Sequence, residues 1–389
     1  MKRTVAVAAV VLALGALARQ PDVAVVAGAP AAVRLDLPPG YVLLSPAMRL
    51  LDAIALLSLG QHVALWITVL ACWALWWRRR ARGVRHALVV LAALTAATFV
   101  VYAAVALLPR PSARLAVDDP ALVRVDFHVH TRASGDAGRW RTVARVREWE
   151  RQVGVDAAYV ADHRAFAGVR EARAGNPARS GEGVVLLAAL EGYLHDLHVV
   201  FLGLAPEDSA LVVRQHVRAE RLGSGRPVVA IATLPGTVLE TVDAGARDRP
   251  PHVRAIEIVD GAPKGLWQGD RDGPAVRARA DSLGLALVTG SNNHGWGRTM
   301  LGWTLVRIPG WRSVPPDTLA LRIEDAVRAG RAGDLRAVAR RRPIGRSWLA
   351  VAAVVPVLGW QTLTALQPSE RIAWLFWVAV GAWIYRRSR

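Results

Sequence analysis

The 389-residue sequence predicts an α/β barrel domain set between membrane-spanning helices. Three observations carry this. Between Val123 and Leu305 short apolar runs alternate with charged, helix-like stretches, the βαβα rhythm of a parallel sheet. About seven such repeats over about 180 residues favour a closed or nearly closed barrel over an open sheet. At the chain ends, by contrast, apolar residues gather in nearly uncharged blocks close to the ~20 residues that span a bilayer.

From the N-terminus, Lys2 and Arg3 precede an apolar run from Val5 to Leu17 and a small-x-small Ala16-Leu17-Ala18. Residues 1–19 are therefore a signal peptide or a first transmembrane helix, and either places the following segment, 20–48, outside the cytoplasm. Apolar blocks at 54–77 and 87–108 make two transmembrane helices within 49–109. The loop between them holds Arg78, Arg79, Arg80, Arg82 and Arg85, which the positive-inside rule assigns to the cytoplasm. The domain that follows, 115–340, then lies outside. Blocks at 347–366 and 371–385 form a C-terminal transmembrane hairpin over 347–386, whose flanking Arg340–Arg342, Arg346, Arg386, Arg387 and Arg389 argue for the opposite orientation. The N-terminal signals are preferred because early helices usually set orientation. The expected location is thus the cytoplasmic membrane, with an extracytoplasmic soluble domain. His62, inside a span without an acidic neighbour at helical spacing, is expected to serve helix packing or to sit at the membrane interface.

In the soluble segment the strands are read at Val123–Val129, Ala157–Ala161, Val184–Leu190, His198–Leu204, Pro227–Thr233, Arg254–Val259 and Leu285–Thr289. Arg141–Gln152, Pro206–Leu222 and Gly273–Leu283 read as helices between them. Chemistry in such folds gathers at the C-terminal strand ends. There stand His128 and His130 after the first strand, Asp136 in the next loop, Asp162-His163 after the second, Glu191 after the third and His294 after the last. Side chains at i and i+2 of a strand share a face, so His128 and His130 can hold one ion. His198 is the exception, at the start of its run. Imidazoles and carboxylates without thiolate suit Zn, Mn or Fe, and Glu191 is the expected bridge between ions.

Net charge is +18, nearly all from arginine, since Lys2 and Lys264 are the only lysines. The arginines are dispersed and not interleaved with aromatics, so nucleic acid is not indicated. The single Cys72 excludes an intrachain disulfide and a thiolate metal cluster.

These motifs, in order, resemble the PHP (polymerase and histidinol phosphatase) superfamily of metal-dependent phosphoesterases. They are Asp126-Phe127-His128-Val129-His130-Thr131 with Ser134-Gly135-Asp136, then Val160-Ala161-Asp162-His163, Ala189-Leu190-Glu191-Gly192, His198-Val199-Val200-Phe201-Leu202-Gly203 and Thr289-Gly290-Ser291-Asn292-Asn293-His294. The resemblance covers roughly residues 122 to 335. It implies a distorted (β/α)7 barrel with two or three divalent ions, Mn, Zn or Fe, that hydrolyses a phosphate ester. Carried over, the ligands are His128, His130, Asp136, His163, Glu191, His198, Asn292 and His294, with His195 the alternative to His198. Asp162 and Arg164 are the expected catalytic residues; Arg132, Arg164 and Arg298 closely follow motif residues and are expected to clamp a phosphate by bidentate hydrogen bonds. Lys264, in a loop after a strand, is a weaker substrate candidate. The implied mechanism is in-line attack by a metal-activated hydroxide, the ions absorbing phosphoryl charge.

Two departures matter. Leu234-Pro235 stands where the family usually has His-Pro, and Asn292 where it usually has Asp, so the site loses a ligand and a negative charge. These departures support the alternative, a catalytically degenerate barrel serving as a membrane-tethered binding or sensory module. Amidohydrolases also begin with His-x-His, but those with a bridging lysine need one on a middle strand, and Lys264 falls late. The partner expected is a phosphoester of unspecified identity, and the tether would suit a lipid-linked, envelope or externally supplied one.

Overall fold

The computed structural model describes residues 2–80, 83–163, 165–194, 197–214, 216–217, 221–233, 253–330 and 334–388; Arg164, His195, Leu234 and Pro235 lie outside them. The chain forms two compact units, one of Met1–Asp22, Leu37–Ala113 and Arg341–Arg389, the other of Val23–Asp36 and Arg114–Arg340.

The second unit is built on fourteen strands among the described residues: Val23–Gly28 (β1), Val33–Asp36 (β2), Arg114–Val117 (β3), Leu122–Val129 (β4), Ala157–Val160 (β5), Val185–Leu194 (β6), Leu197–Leu202 (β7), Val212–Val213 (β8), His216–Val217 (β9), Val229–Ala232 (β10), Val253–Asp260 (β11), Ala286–Gly290 (β12), Gly302–Arg307 (β13) and Leu335–Arg340 (β14). Neighbours in the main sheet run β1-β14-β13-β4-β5-β6-β7-β10-β11-β12. A bridge between Val129 and Asn293 brings the chain after β12 back against β4, so the sheet is a nearly closed barrel. β4, β5 and β6 pair in parallel, as do β10, β11 and β12.

β7 differs, being antiparallel to both β6 and β10. The sequence suggested a parallel strand separated from its predecessor. In fact β6 continues to Leu194 and β7 starts at Leu197, too close for the dozen or more residues a parallel crossover needs. A second correction concerns Pro206–Leu222, expected as one helix. Among its described residues only Pro206–Leu211 is helical, as a 3-10 turn, and the β-branched Val212-Val213 enters a β8–β9 pairing instead. β1 pairs with β14 and β2 with β3, so Val23–Asp36 belongs to the barrel unit although the sequence placed it ahead of the domain.

Local signals fix the flanking helices. The Thr142 side chain accepts from Arg145 N–H to start Val143–Val153, and Gly154, at φ 82°, ends it in the left-handed conformation. Val146, Trp149 and Val153 face the core at helical spacing. Helix Pro316–Arg328 buries Leu319, Ile323 and Val327 against a core that includes Val123, Val125, Phe127, Leu187 and Val288. Each such side chain contributes about 1.5–3 kcal/mol on burial. Lys264, expected in a loop, is exposed in the first turn of helix Pro263–Leu283.

The first unit is helical. Leu59–Arg80 and Val84–Leu107, of 22 and 24 residues, are long and apolar enough to cross a membrane. At 1.5 Å per residue they exceed the ~30 Å hydrocarbon thickness. His62 Nδ1 lies 2.8 Å from the Tyr102 hydroxyl, so it does join these two helices. The 347–366 block is interrupted into Trp348–Ala352 and Val354–Ala365, followed by Pro368–Arg387. Arg49 binds Glu370 through two bonds, Nε to Oε1 at 2.7 Å and Nη2 to Oε2 at 2.6 Å, and reaches Asp22 at 2.9 Å, with Arg49 and Glu370 buried.

Candidate metal centre

The parallel strands deliver their C-terminal ends to one place, and the ligand-type residues follow. β4 ends in His128-Val129, and His130 comes next; both imidazoles are fully buried. His163 follows β5 and bridges in strand fashion to Glu191 on β6. His198 occupies the beginning of β7, and because β7 runs antiparallel its beginning lies at this same end, opposite Tyr193. The apparent exception in the sequence is therefore a consequence of strand direction. Asn292 and His294 follow β12, with Asn292 N–H donating to His128 O at 2.7 Å.

Glu191 is the hub. Its Oε2 lies 3.1 Å from His128 Nε2, 3.2 Å from His130 Nε2 and 3.0 Å from His163 Nε2, and its Oε1 lies 3.2 Å from His198 Nε2. Asp136 Oδ2 joins the opposite side, 3.4 Å from His163 Nε2 and 3.2 Å from His294 Nε2. The backs of four rings are held. His128 Nδ1 faces Glu257 Oε2 at 3.3 Å, His130 Nδ1 faces Ser134 Oγ at 3.2 Å, His198 Nδ1 faces Thr233 Oγ1 at 3.1 Å, and His294 Nδ1 donates to Asn292 O at 3.1 Å. Where Nδ1 donates, as His294 does to the Asn292 carbonyl, the tautomer leaves a lone pair on Nε2, the arrangement of metal-ligating histidines.

Divalent ions fit this donor set on two counts. Glu191 Oε2 is buried and makes no hydrogen bond, although three imidazole nitrogens surround it. A buried carboxylate oxygen left without a donor is costly unless a cation takes the place. Ligand atoms also cluster within 4.8 Å of one another in overlapping sets, His130/His163/His294, His128/His130/Glu191 and His163/Glu191/His198, so Glu191 can be shared between ions.

In the metal-free protein these buried groups shift one another's protonation. Burial alone would push the Glu191 carboxyl up, but the imidazoles of His128, His130 and His163 outweigh it and hold it well below the usual range. Burial drives His130 down to about 3, keeping it neutral and able to ligate. His128 sits between two carboxylates, and Glu191 and Glu257 raise it against the effect of its burial.

Of the other expected residues, Asp162 is fully buried. Its Oδ1 accepts from Thr131 N–H and its Oδ2 from the Thr131 hydroxyl, both at 2.6 Å, so it clamps the turn after His130. A Cβ at Gly168 would come 2.1 Å from Asp162 Oδ2, which explains the glycine there. Arg132 is exposed, 3.9 Å from Glu171. Two residues escaped the sequence reading. Glu257 and Asp260, at the end of β11, lie with His128 in a further set of ligand atoms within 4.8 Å. Their signal was present: a carboxylate inside the apolar run Ala255-Ile256-Glu257-Ile258 and another closing the strand.

The centre is closed on one side and open on the other. His128, His130 and Glu191 form a buried floor, while His163, His198 and His294 are each 21% exposed and Asp136 53% exposed.

No protein-family model matches the chain, and no curated protein matches it. Solved structures do. PsfC from Pseudomonas syringae is 17% identical, with 63% of this chain and 99% of that one covered and a TM-score of 0.37. A two-domain protein from Bacteroides vulgatus, described as containing a predicted PHP-like metal-dependent phosphoesterase, is 17% identical over 56% of this chain and 64% of that one, with a TM-score of 0.35. The lesion-specific endonuclease PfuEndoQ from Pyrococcus furiosus is 13% identical over 56% and 57%, with a TM-score of 0.37. Likenesses this distant carry no functional assignment, which rests on the site itself.

Proposed function

We propose that this protein is a membrane-anchored, metal-dependent phosphoesterase. The observation that carries the proposal is the convergence of imidazole Nε2 atoms on a buried, unbonded carboxylate oxygen of Glu191, with Nδ1 atoms tied from behind. His128, His130, His163, Glu191 and His198 would hold one ion or share it with a second, which Asp136 and His294 complete on the open side. Two divalent ions in such a set supply positive charge to phosphoryl oxygens and bring the ionisation of water near neutral pH. The chain's own contribution is positional. The half-exposed Asp136 is the one carboxylate among these ligands that meets solvent, which marks the substrate side of the centre. The buried floor keeps bulk water from the opposite face.

The helices Leu59–Arg79 and Val84–Leu107 support anchoring in the cytoplasmic membrane, and the arginine-rich loop between them supports an extracytoplasmic barrel. A lipid-linked or envelope phosphoester is then the substrate class within reach. Asn292, a neutral donor at a ligand position, favours a second reading in which the barrel binds ions without turnover. The test is bound Mn or Zn per chain on the purified full-length protein, beside a His128→Ala/His130→Ala variant. Two ions, lost in the variant, support the centre; none, after incubation with either metal, removes it.

A further inference from the structure

Behind the floor of histidines lie two carboxylates outside the ligand set above. Glu257 and Asp260 are buried, at 1% and 0% exposure, and neither pairs with an arginine or lysine among the described residues. Glu257 Oε1 makes no hydrogen bond at all. Asp260 is placed with care: its Oδ1 accepts from Ala262 N–H at 2.7 Å and its Oδ2 from Asn292 Nδ2 at 3.1 Å. That second bond orients the amide. With Nδ2 turned to Asp260, Oδ1 points away from it, and this oxygen is buried without a hydrogen-bond partner. The Asn292 backbone stands at φ 45°, a left-handed conformation that asparagine adopts more readily than other non-glycine residues, and its N–H is bonded to His128 O, which ties it to the first histidine of the centre.

Charge explains the residue types. A carboxylate at 292 would stand about 3 Å from Asp260, and two adjacent buried carboxylates cannot both ionise without a cation. One aspartate and one asparagine carry a single charge between them and share a hydrogen bond.

We propose that Asn292 ligates through Oδ1 and that Asp260 is its positioning residue, so that the pair supplies across one hydrogen bond the charge and oxygen of a single carboxylate ligand. This inference rests on the metal-centre reading above. The negative charge of the pair then stands one contact outward from position 292, on β11.

The test uses the full-length protein in detergent and reads the affinity and number of bound Mn ions by equilibrium dialysis, with turnover not required. Asp260→Asn is expected to weaken one ion about 10–100-fold, the loss typical of an outer partner, and to leave the other. The reciprocal Asp260→Asn/Asn292→Asp variant, which returns the charge to position 292, is expected to recover affinity to within a few-fold of the native chain. Asn292→Ala is expected to lose the same ion as Asp260→Asn, which decides the matter if that variant fails to fold. Native affinity in Asp260→Asn, or a reciprocal variant no better than the single one, overturns the pairing while leaving the centre intact. A native chain that binds no ion overturns the centre, and this pairing with it.

Discussion

Replacing Glu191 by glutamine changes almost no volume and removes the charge on which the centre turns. Four imidazole nitrogens lie 3.0–3.2 Å from its two oxygens, three of them on Oε2 alone. If that oxygen is shared between ions, its loss affects both. The size of the effect follows from linkage. An ion present at about 100 times its dissociation constant stabilises the folded state by about 2.7 kcal/mol. The barrel unit holds roughly 240 residues, for which 1 kcal/mol shifts Tm by about 2–4 °C. Each ion should therefore raise Tm by about 5–11 °C. Tryptophan fluorescence offers the assay, because Trp149 and Trp303 are buried in this unit, with Trp303 Nε1 bonded to Val153 O at 3.1 Å. Chelated and Mn-loaded native protein should differ by one or two such increments, and Glu191→Gln should lose most of the difference. A variant showing the native metal-induced shift would refute the shared role of Glu191 and with it the bridged centre.

Further outcomes follow from particular contacts. A Cβ at Gly290 would come 1.6 Å from Glu257 Oε1 and 2.6 Å from His128 Cβ, so Gly290→Ala should cost about 1–3 kcal/mol and weaken metal binding; native values in melting and dialysis would contradict this. In the helical unit, Glu370→Gln leaves a buried Arg49 with Asp22 as its remaining carboxylate, and should destabilise by about 3 kcal/mol in thermal unfolding; a loss under about 1 kcal/mol would show the pair to be dispensable. Burial pushes the Glu257 carboxyl up to about 7 in the metal-free protein. A raised carboxyl pKa favours the folded state below the group's ordinary value, and that advantage is lost as pH rises through 7. Chelated native protein should thus lose on the order of 3 kcal/mol relative to Glu257→Gln between pH 4.5 and pH 8, and parallel curves would refute the assignment.

Much of the barrel was legible in the sequence because short apolar runs bounded by charged stretches report strands directly. Val123–Val129, Ala157–Ala161 and Leu285–Thr289 each correspond to an observed strand within a few residues. Strand direction was not legible. The β6–β7 hairpin depends on where β6 ends, and Gly192-Tyr193-Leu194 gave no apolar alternation to mark its continuation. β1 and β2 were hidden because their partners, β14 and β3, lie far away in sequence. At the site, His128, His130, His163, Glu191, His198 and His294 do meet, since histidines at strand ends are rare enough to be noticed. Glu257 and Asp260 carry no histidine beside them to set them apart from ordinary strand carboxylates. Asp162, expected to be catalytic, has both carboxylate oxygens bonded to Thr131, a contact that no spacing in the sequence announces.

The most direct measurement is hydrolysis of a phosphate monoester and a phosphate diester by the full-length protein in detergent, stripped of metal and then reloaded with Mn or Zn. The account predicts turnover of at least one ester that appears on reloading and is absent from His128→Ala. Bound ions without turnover of either ester, or turnover that survives His128→Ala, would contradict it.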